Sequence, residues 1–338
     1  MLKIYSSTSA LLSTLTPPAL DATAQSPITA ILLNPSNPLQ LLIATKDGLL
    51  SIWDYTEAKL LRTLNLGSEI QFITGHASLS DQLFVALAAT VEELKSDNST
   101  ENEDSVSKDV KAKAGVYLIS LKPVALPPST PSSPSTPRTP SRRMRLAKPR
   151  SILALSLSPS GKHLISLNPY QINICKTDKL DKGFVQKITS EVRLTCLEFH
   201  PTENWFATGD GLGKIRLHYG AMDAESTNKV VESTTSVLHW HAHAVTALSF
   251  TPNGAYLLSG GQEAVLVLWQ LHTGHQEYVP RLGAPINSIT VNDSVEAEQE
   301  IAVRLKDGST VFVGAQKLKI ARIIAGIRIG TSVFSFDC

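Results

Sequence analysis

The residues that could do chemistry in this chain are few. The densest group is His239-Trp-His-Ala-His243. Alternate side chains of a strand share a face, so His239, His241 and His243 could converge on one metal ion. A metal-dependent hydrolase is the reading that would follow. No carboxylate or further ligand is placed to complete such a site, so no metal ligand and no catalytic residue is assigned. Asp47 and Asp307 each sit in a Lys-Asp-Gly turn before an apolar run. They read as turn-stabilising carboxylates that accept backbone N–H bonds, not as general acids. His200 and His218 read as strand-end or core residues. Neither a G-x-x-x-x-G-K-[ST] phosphate loop nor a G-x-S-x-G nucleophile elbow occurs. The expectation is a non-enzyme without a cofactor.

A second concentration is electrostatic. Thr130, Ser133, Thr136 and Thr139 each precede a proline, and Arg142, Arg143, Arg145, Lys148 and Arg150 follow. The basic run could contact RNA phosphates or carry a nuclear import signal. Phosphorylation of the Ser/Thr-Pro sites would add negative charge beside it and weaken phosphate contacts. No aromatic residues interleave, so a base-stacking platform is not supported. The competing reading is a solvated loop.

Bulk properties narrow the classes. The 338 residues carry a formal net charge of +1, which argues for neither nucleic acid nor membrane. Three cysteines, Cys175, Cys196 and Cys338, match no zinc spacing and no disulfide framework. A reducing compartment fits them. No apolar run is long enough to span a membrane, and the first twenty residues do not read as a signal peptide.

The elements that must position these residues are strands in a repeat. Ile28–Pro35, Ile152–Pro159, Leu194–Pro201 and Val245–Pro252 are short apolar runs that end in proline. A turn, a second run and a third run follow each. Pro159, Pro201 and Pro252 recur roughly 40–50 residues apart, the period of a propeller blade. Blades are expected at 28–66, 67–121, 149–188, 190–232, 242–282 and 284–316. A partial blade is expected at about 1–20, and a remnant of a further blade at 317–338. An acidic insertion, 92–113, and a Pro/Ser/Thr-rich then basic segment, 122–150, read as disordered loops. The fold class is thus an all-β propeller over 1–330, with six blades plus partial terminal strands. It is an incomplete ring, or a seven-blade ring if strands from the two ends share a blade.

Trp53-Asp54 closes the third strand of the first full blade and is the dipeptide that names WD repeats. In such repeats a histidine four residues before Val245 is structural, which makes His241 a bonding partner within its blade. Glu263 then stands at the turn position usually held by Asp, and Trp269 closes the network. His218 occupies a tryptophan position. Phe199-His-Pro-Thr-Glu203, Leu238-His-Trp-His241, Leu257-Leu-Ser-Gly-Gly261 and Val279-Pro-Arg-Leu-Gly-Ala284 resemble the WD repeat-containing protein 75 family. So do Lys3-Ile-Tyr-Ser6 and the block from Leu39 to Tyr55. The resemblance implies a nucleolar scaffold subunit of the UtpA part of the small-subunit processome. It also implies other processome proteins, the 5′ external transcribed spacer of pre-ribosomal RNA and the small nucleolar RNA complex as partners, with a link to RNA polymerase I transcription. The competing function is a propeller adaptor in a ubiquitin-ligase receptor or a trafficking coat.

Overall fold

The computed structural model describes residues 2–5, 11–19, 26–79, 81–88, 115–121, 142–144, 152–182, 186–222, 234–292, 300–315 and 318–324. Over these residues the chain forms six four-stranded antiparallel sheets and one two-stranded hairpin, the architecture of a six-bladed β-propeller. Among the described residues one short 3-10 helix, Thr177–Lys182, departs from β structure.

The hairpin is β1 (Leu2–Tyr5) with β2 (Leu11–Leu15). The first full sheet holds β3 (Ile28–Asn34), β4 (Asn37–Thr45), β5 (Leu49–Asp54) and β6 (Lys59–Asn65). The second holds β7 (Ile70–Gly75), β8 (Gln82–Leu87), β9 (Gly115–Ser120) and β10 (Arg142–Met144). These belong to one compact unit built on residues 1–151. A second unit, largely 152–329, carries four sheets. They are β11 (Ala154–Leu157) to β14 (Gln186–Thr189), with β12 (His163–Asn168) and β13 (Gln171–Lys176) between; then β15 (Leu194–Phe199), β16 (Phe206–Asp210), β17 (Lys214–Tyr219) and β18 (Thr234–His239). β19 (Val245–Phe250), β20 (Tyr256–Gly261), β21 (Leu266–Gln270) and β22 (Gln276–Val279) follow. The last sheet is β23 (Ile286–Val291), β24 (Glu300–Leu305), β25 (Thr310–Gly314) and β26 (Lys319–Ile324).

Burial follows strand order. Leu41–Thr45 in β4, Leu83–Leu87 in β8 and Phe206–Asp210 in β16 are buried at every position. A second strand covered on both faces has no solvent side to alternate with, so Leu41–Ala44 and Leu83–Leu87 are continuously apolar, while in β16 the buried Thr208 and Asp210 are hydrogen-bonded instead. The fourth strands β18 and β22 face solvent: β18 is exposed from Thr234 to Val237 and β22 from Gln276 to Tyr278. The hairpin is anchored through Leu2 and Leu15, which pack with Ile31, Leu41, Ile43 and Trp53.

A bulge recurs at the start of the first strand. The register slips between Ile28 and Ala30, Ile70 and Phe72, Leu194 and Cys196, Val245 and Ala247, and Ile286 and Ser288. A bulge frees one residue from the ladder and re-aims its side chain. At two of the three bulges in the second unit that residue ties sheet to sheet. The Thr195 hydroxyl donates to the Val245 carbonyl, and the Thr246 hydroxyl to the Ile286 carbonyl. Opposite each of these two bulges stands a glycine. A Cβ on Gly209 would lie 2.9 Å from the Val245 Cβ, and one on Gly260 would lie 2.6 Å from Ile286 Cγ2.

Three sequence expectations are corrected. Arg142–Met144, assigned by composition to a disordered loop, pairs with β9 as a fourth strand, with Arg143 opposite Tyr117. Main-chain bonds do not read composition, and the open edge of β9 accepts a proline-free segment. Lys319–Ile324, assigned to a further blade, pairs with β25 and completes the last sheet, because a short connection from Gly314 returns the chain as a hairpin. The expected blade at 190–232 takes its fourth strand from β18, beyond that boundary. The rest of 122–150, the insertion 92–113 and residues 325–338 lie outside the described residues.

Candidate functional site

The most complete side-chain network lies in the sheet of β19–β22. Trp269, on β21, donates its Nε1–H to Ser259 Oγ at 2.8 Å, and Ser259 Oγ lies 2.9 Å from His241 Nε2. His241 precedes β19 and is fully buried. With the serine hydroxyl directed at Nε2, the ring proton sits on Nδ1 and faces Glu263 Oε2 at 3.4 Å. That is an ion-pair separation, longer than an aligned hydrogen bond. Glu263 Oε1 accepts the His243 backbone N–H. Burial holds the His241 pKa below its ordinary value, against the opposing pull of Glu263. Burial works to raise the Glu263 carboxyl, but its own amide, the His243 amide and the His241 ring together hold it low. Each member of this chain of bonds orients the next.

The three histidines do not converge. Strand β18 ends at His239, so the alternation that would align them stops there. His239 and His243 are exposed while His241 is buried. Among the described residues no group of three His, Cys, Asp or Glu side chains could hold a metal ion.

The neighbouring sheet carries a variant. His218 stands on β17 at the position of Trp269. Its Nε2 lies 2.9 Å from Thr208 Oγ1, and its ring stacks on Phe206 at 4.7 Å. Burial, and then the Arg216 charge, push the His218 pKa down to about 4. Asp210 is fully buried at the end of β16. Its Oδ1 accepts the Leu212 and Lys214 amides, each at 2.9 Å, and its Oδ2 pairs with Arg216 Nη1 at 2.8 Å. In the sheet of β11–β14, Cys175 takes the tryptophan position and burial pushes its thiol up to about 12.

The first full sheet keeps the dipeptide and not the network. Ile43 occupies the position of Ser259, so Trp53 Nε1 donates instead to Ser51 Oγ on its own strand, at 3.0 Å. Asp54 lies at the next turn and accepts the Thr56 hydroxyl at 2.6 Å and the Thr56 and Glu57 amides. The Thr56 hydroxyl, followed by the Glu57 amide, holds its pKa low. Asp307 accepts the hydroxyl and amide of Ser309 at 2.6 and 2.9 Å. Asp47 accepts the Thr45 hydroxyl, and its amide donates to Ser26 Oγ at 3.1 Å.

Sequence reasoning missed Ser259, Thr208, Asp210 and Arg216. The signal for the hydroxyls was present: Ser166, Thr208 and Ser259 share one position in three successive second strands. Of the basic run, Arg142 and Arg143 lie on β10. Arg145, Lys148, Arg150 and the sites Thr130, Ser133, Thr136 and Thr139 lie outside the described residues.

Comparison with known proteins agrees with this architecture. Residues 149–300 match the family model described as the WD repeat-containing protein 75 first β-propeller. WD repeat-containing protein 75 of Xenopus laevis is 30% identical over 307 residues, covering 90% of this chain and 33% of the relative. The Homo sapiens protein of the same name is 28% identical over 322 residues, covering 91% and 34%. U3 small nucleolar RNA-associated protein 17 of Schizosaccharomyces pombe is 28% identical over 305 residues, covering 88% and 33%. The chain thus spans about a third of the length of these relatives. Because the repeats, the His241–Ser259–Trp269 network and these alignments coincide, the chain belongs to the WD repeat-containing protein 75 family.

Proposed function

We propose that this chain is a non-catalytic scaffold module acting in pre-ribosomal RNA processing and small-subunit assembly, within the small-subunit processome of the nucleolus. The observation that carries the reading is the alignment, over 88% of this chain and 33% of the relative, with a protein named for its association with U3 small nucleolar RNA. The geometry supports it. Buried Ser259, Thr208 and Asp210 bond within their own sheets and orient strands and turns, while rims and outer strands are the surfaces on which propellers hold partners. On this reading the partners are other UtpA proteins, the 5′ external transcribed spacer and the small nucleolar RNA complex. The link to RNA polymerase I transcription belongs to the same proposal. The run from Arg142 to Arg150 contacts RNA phosphates or serves nuclear import, and phosphorylation at Thr130, Ser133, Thr136 or Thr139 weakens the RNA contact.

The test is affinity purification of the tagged native protein, with sequencing of bound RNA and mass spectrometry of bound proteins. Spacer RNA together with processome subunits is the expected recovery. A ligase or coat complex without pre-ribosomal RNA would overturn the functional reading and leave the fold intact.

A further inference from the structure

The outermost strand of a sheet leaves one row of main-chain N–H and C=O groups unpaired within that sheet, and such an edge accepts another strand. Charge, a bulge or short length deters this pairing. Lys59 on β6, Arg143 on β10, Lys187 on β14, Glu277 on β22 and Lys319 on β26 each bring a charge to their outer strand. The uncharged β2 pairs with β1 across a register slip. β18 has none of these devices. It reads Thr234-Thr-Ser-Val-Leu-His239, without Lys, Arg, Asp, Glu or Pro. All six of its residues pair with β17, from Tyr219 opposite Thr234 to Lys214 opposite His239, with no slip. It ends the sheet order β15-β16-β17-β18, and among the described residues no strand lies beyond it.

The two faces of this edge differ. On one, Leu238 packs with Ile215 and Leu217 into the cluster shared with the β19–β22 sheet. On the other, Val237 stands opposite Arg216 and is 52% exposed, and His239 stands opposite Lys214. Arg216 is satisfied by Asp210 at 2.8 Å. Among the described residues neither the Lys214 nor the His239 side chain has a carboxylate partner. Two basic side chains directly opposite each other are unfavourable when both are charged, and a carboxylate beside them relieves the repulsion.

We infer that the outer edge of β18 takes a fifth strand from a partner protein: an extended, proline-free segment with an apolar side chain beside Val237 and an aspartate or glutamate beside His239. A row of strand N–H and C=O groups is matched by another extended backbone, which sets the conformation of the occupant. Side chains two apart on that strand share the Val237 face, so one segment meets both requirements. Lys214 and His239 set its charge. They argue against a second copy of this chain pairing through the same strand, because β18 carries no carboxylate to offer. The inference goes beyond the proposed function and holds whichever assembly the chain serves.

The experiment puts the photo-crosslinker p-benzoylphenylalanine at Val237 of the tagged full-length protein in its native complexes and identifies the cross-linked peptide by mass spectrometry. The expected product is a segment of a different protein, free of proline and bearing Asp or Glu. His239→Glu in the same background gives Lys214 a carboxylate within the sheet. It should leave the melting temperature unchanged or raised, and lower the yield of that cross-link by about threefold or more. Thr235→Lys, which sets a charge at an exposed position of the edge, should also lower it, and serves alone if His239→Glu unfolds. No cross-link, a cross-link only to RNA, to a second copy or within this chain, a partner segment without a carboxylate, or an undiminished yield in the folded variants would each overturn the inference.

Discussion

Ser259 holds two groups that have no alternative. Trp269 Nε1–H donates to its hydroxyl, and His241 Nε2 lies within bonding distance of it, in a fully buried setting. Removing one buried partner leaves the others desolvated and unpaired. Ser259→Ala should therefore cost about 1–3 kcal/mol, read as a lowered denaturant midpoint with an unchanged m-value. His218 makes a different prediction. Its pKa falls from an ordinary 6.5 to about 4 on folding, so between those values the unfolded chain binds more protons. Stability contributed by the neutral ring is present above pH 6.5 and is lost as pH falls through that window to about 4. The full shift corresponds to something on the order of 3 kcal/mol. His218→Gln should flatten the fall in stability over pH 6.5 to 4 relative to the parent. Glu198, whose carboxyl burial raises to about 8, acts with the opposite sign and is common to both proteins. Parallel stability curves would refute the assignment.

At the scale of elements, what joins one sheet to the next in the second unit is a repeated device. A bulged threonine donates across the junction, and the glycine opposite lets the next strand approach. The two parts depend on each other, since a strand held off by a side chain could not receive the hydroxyl. Gly260→Ala would drive a methyl group into Ile286, which is fully buried. It should destabilise by about 1–3 kcal/mol, the range for overpacking a filled core. Ala at Gly274, where nothing lies within 4 Å of an added Cβ, meets no such obstacle and is the control for side-chain contact, though its positive φ carries its own strain. Equal melting temperatures for Gly260→Ala and the parent would show that the junction yields.

At the scale of the whole molecule, charge is balanced but unevenly distributed. A net of +1 over 338 residues includes five cations between 142 and 150. If that run touches RNA, replacing Arg142, Arg143, Arg145, Lys148 and Arg150 with glutamine weakens binding to single-stranded RNA. It also reduces the slope of log affinity against log salt by up to about 3.5, from about 0.7 for each phosphate that is no longer neutralised. A salt titration by fluorescence anisotropy checks this, and an unchanged slope would remove these residues from the RNA interface. Arg142 and Arg143 also sit on β10, so the circular dichroism spectrum of the variant should match the parent before the slopes are compared.

The sequence alone settled the blade repeat, because apolar runs, turn prolines and Gly-containing turns are local features set by strand and hairpin chemistry. It also marked His241, Glu263 and Trp269, since their spacing is fixed by the blade. It misjudged Arg142–Met144 and Lys319–Ile324, whose strand character comes from an open neighbouring edge and not from their own composition. It could not show that Trp53 turns to Ser51, because that depends on Ile43 two strand positions from the residue facing Trp53. Nor could it show that the Thr195 and Thr246 hydroxyls cross to the next sheet. Both outcomes depend on residues far apart in the chain meeting across a sheet or a junction, and only the tertiary structure brings them together.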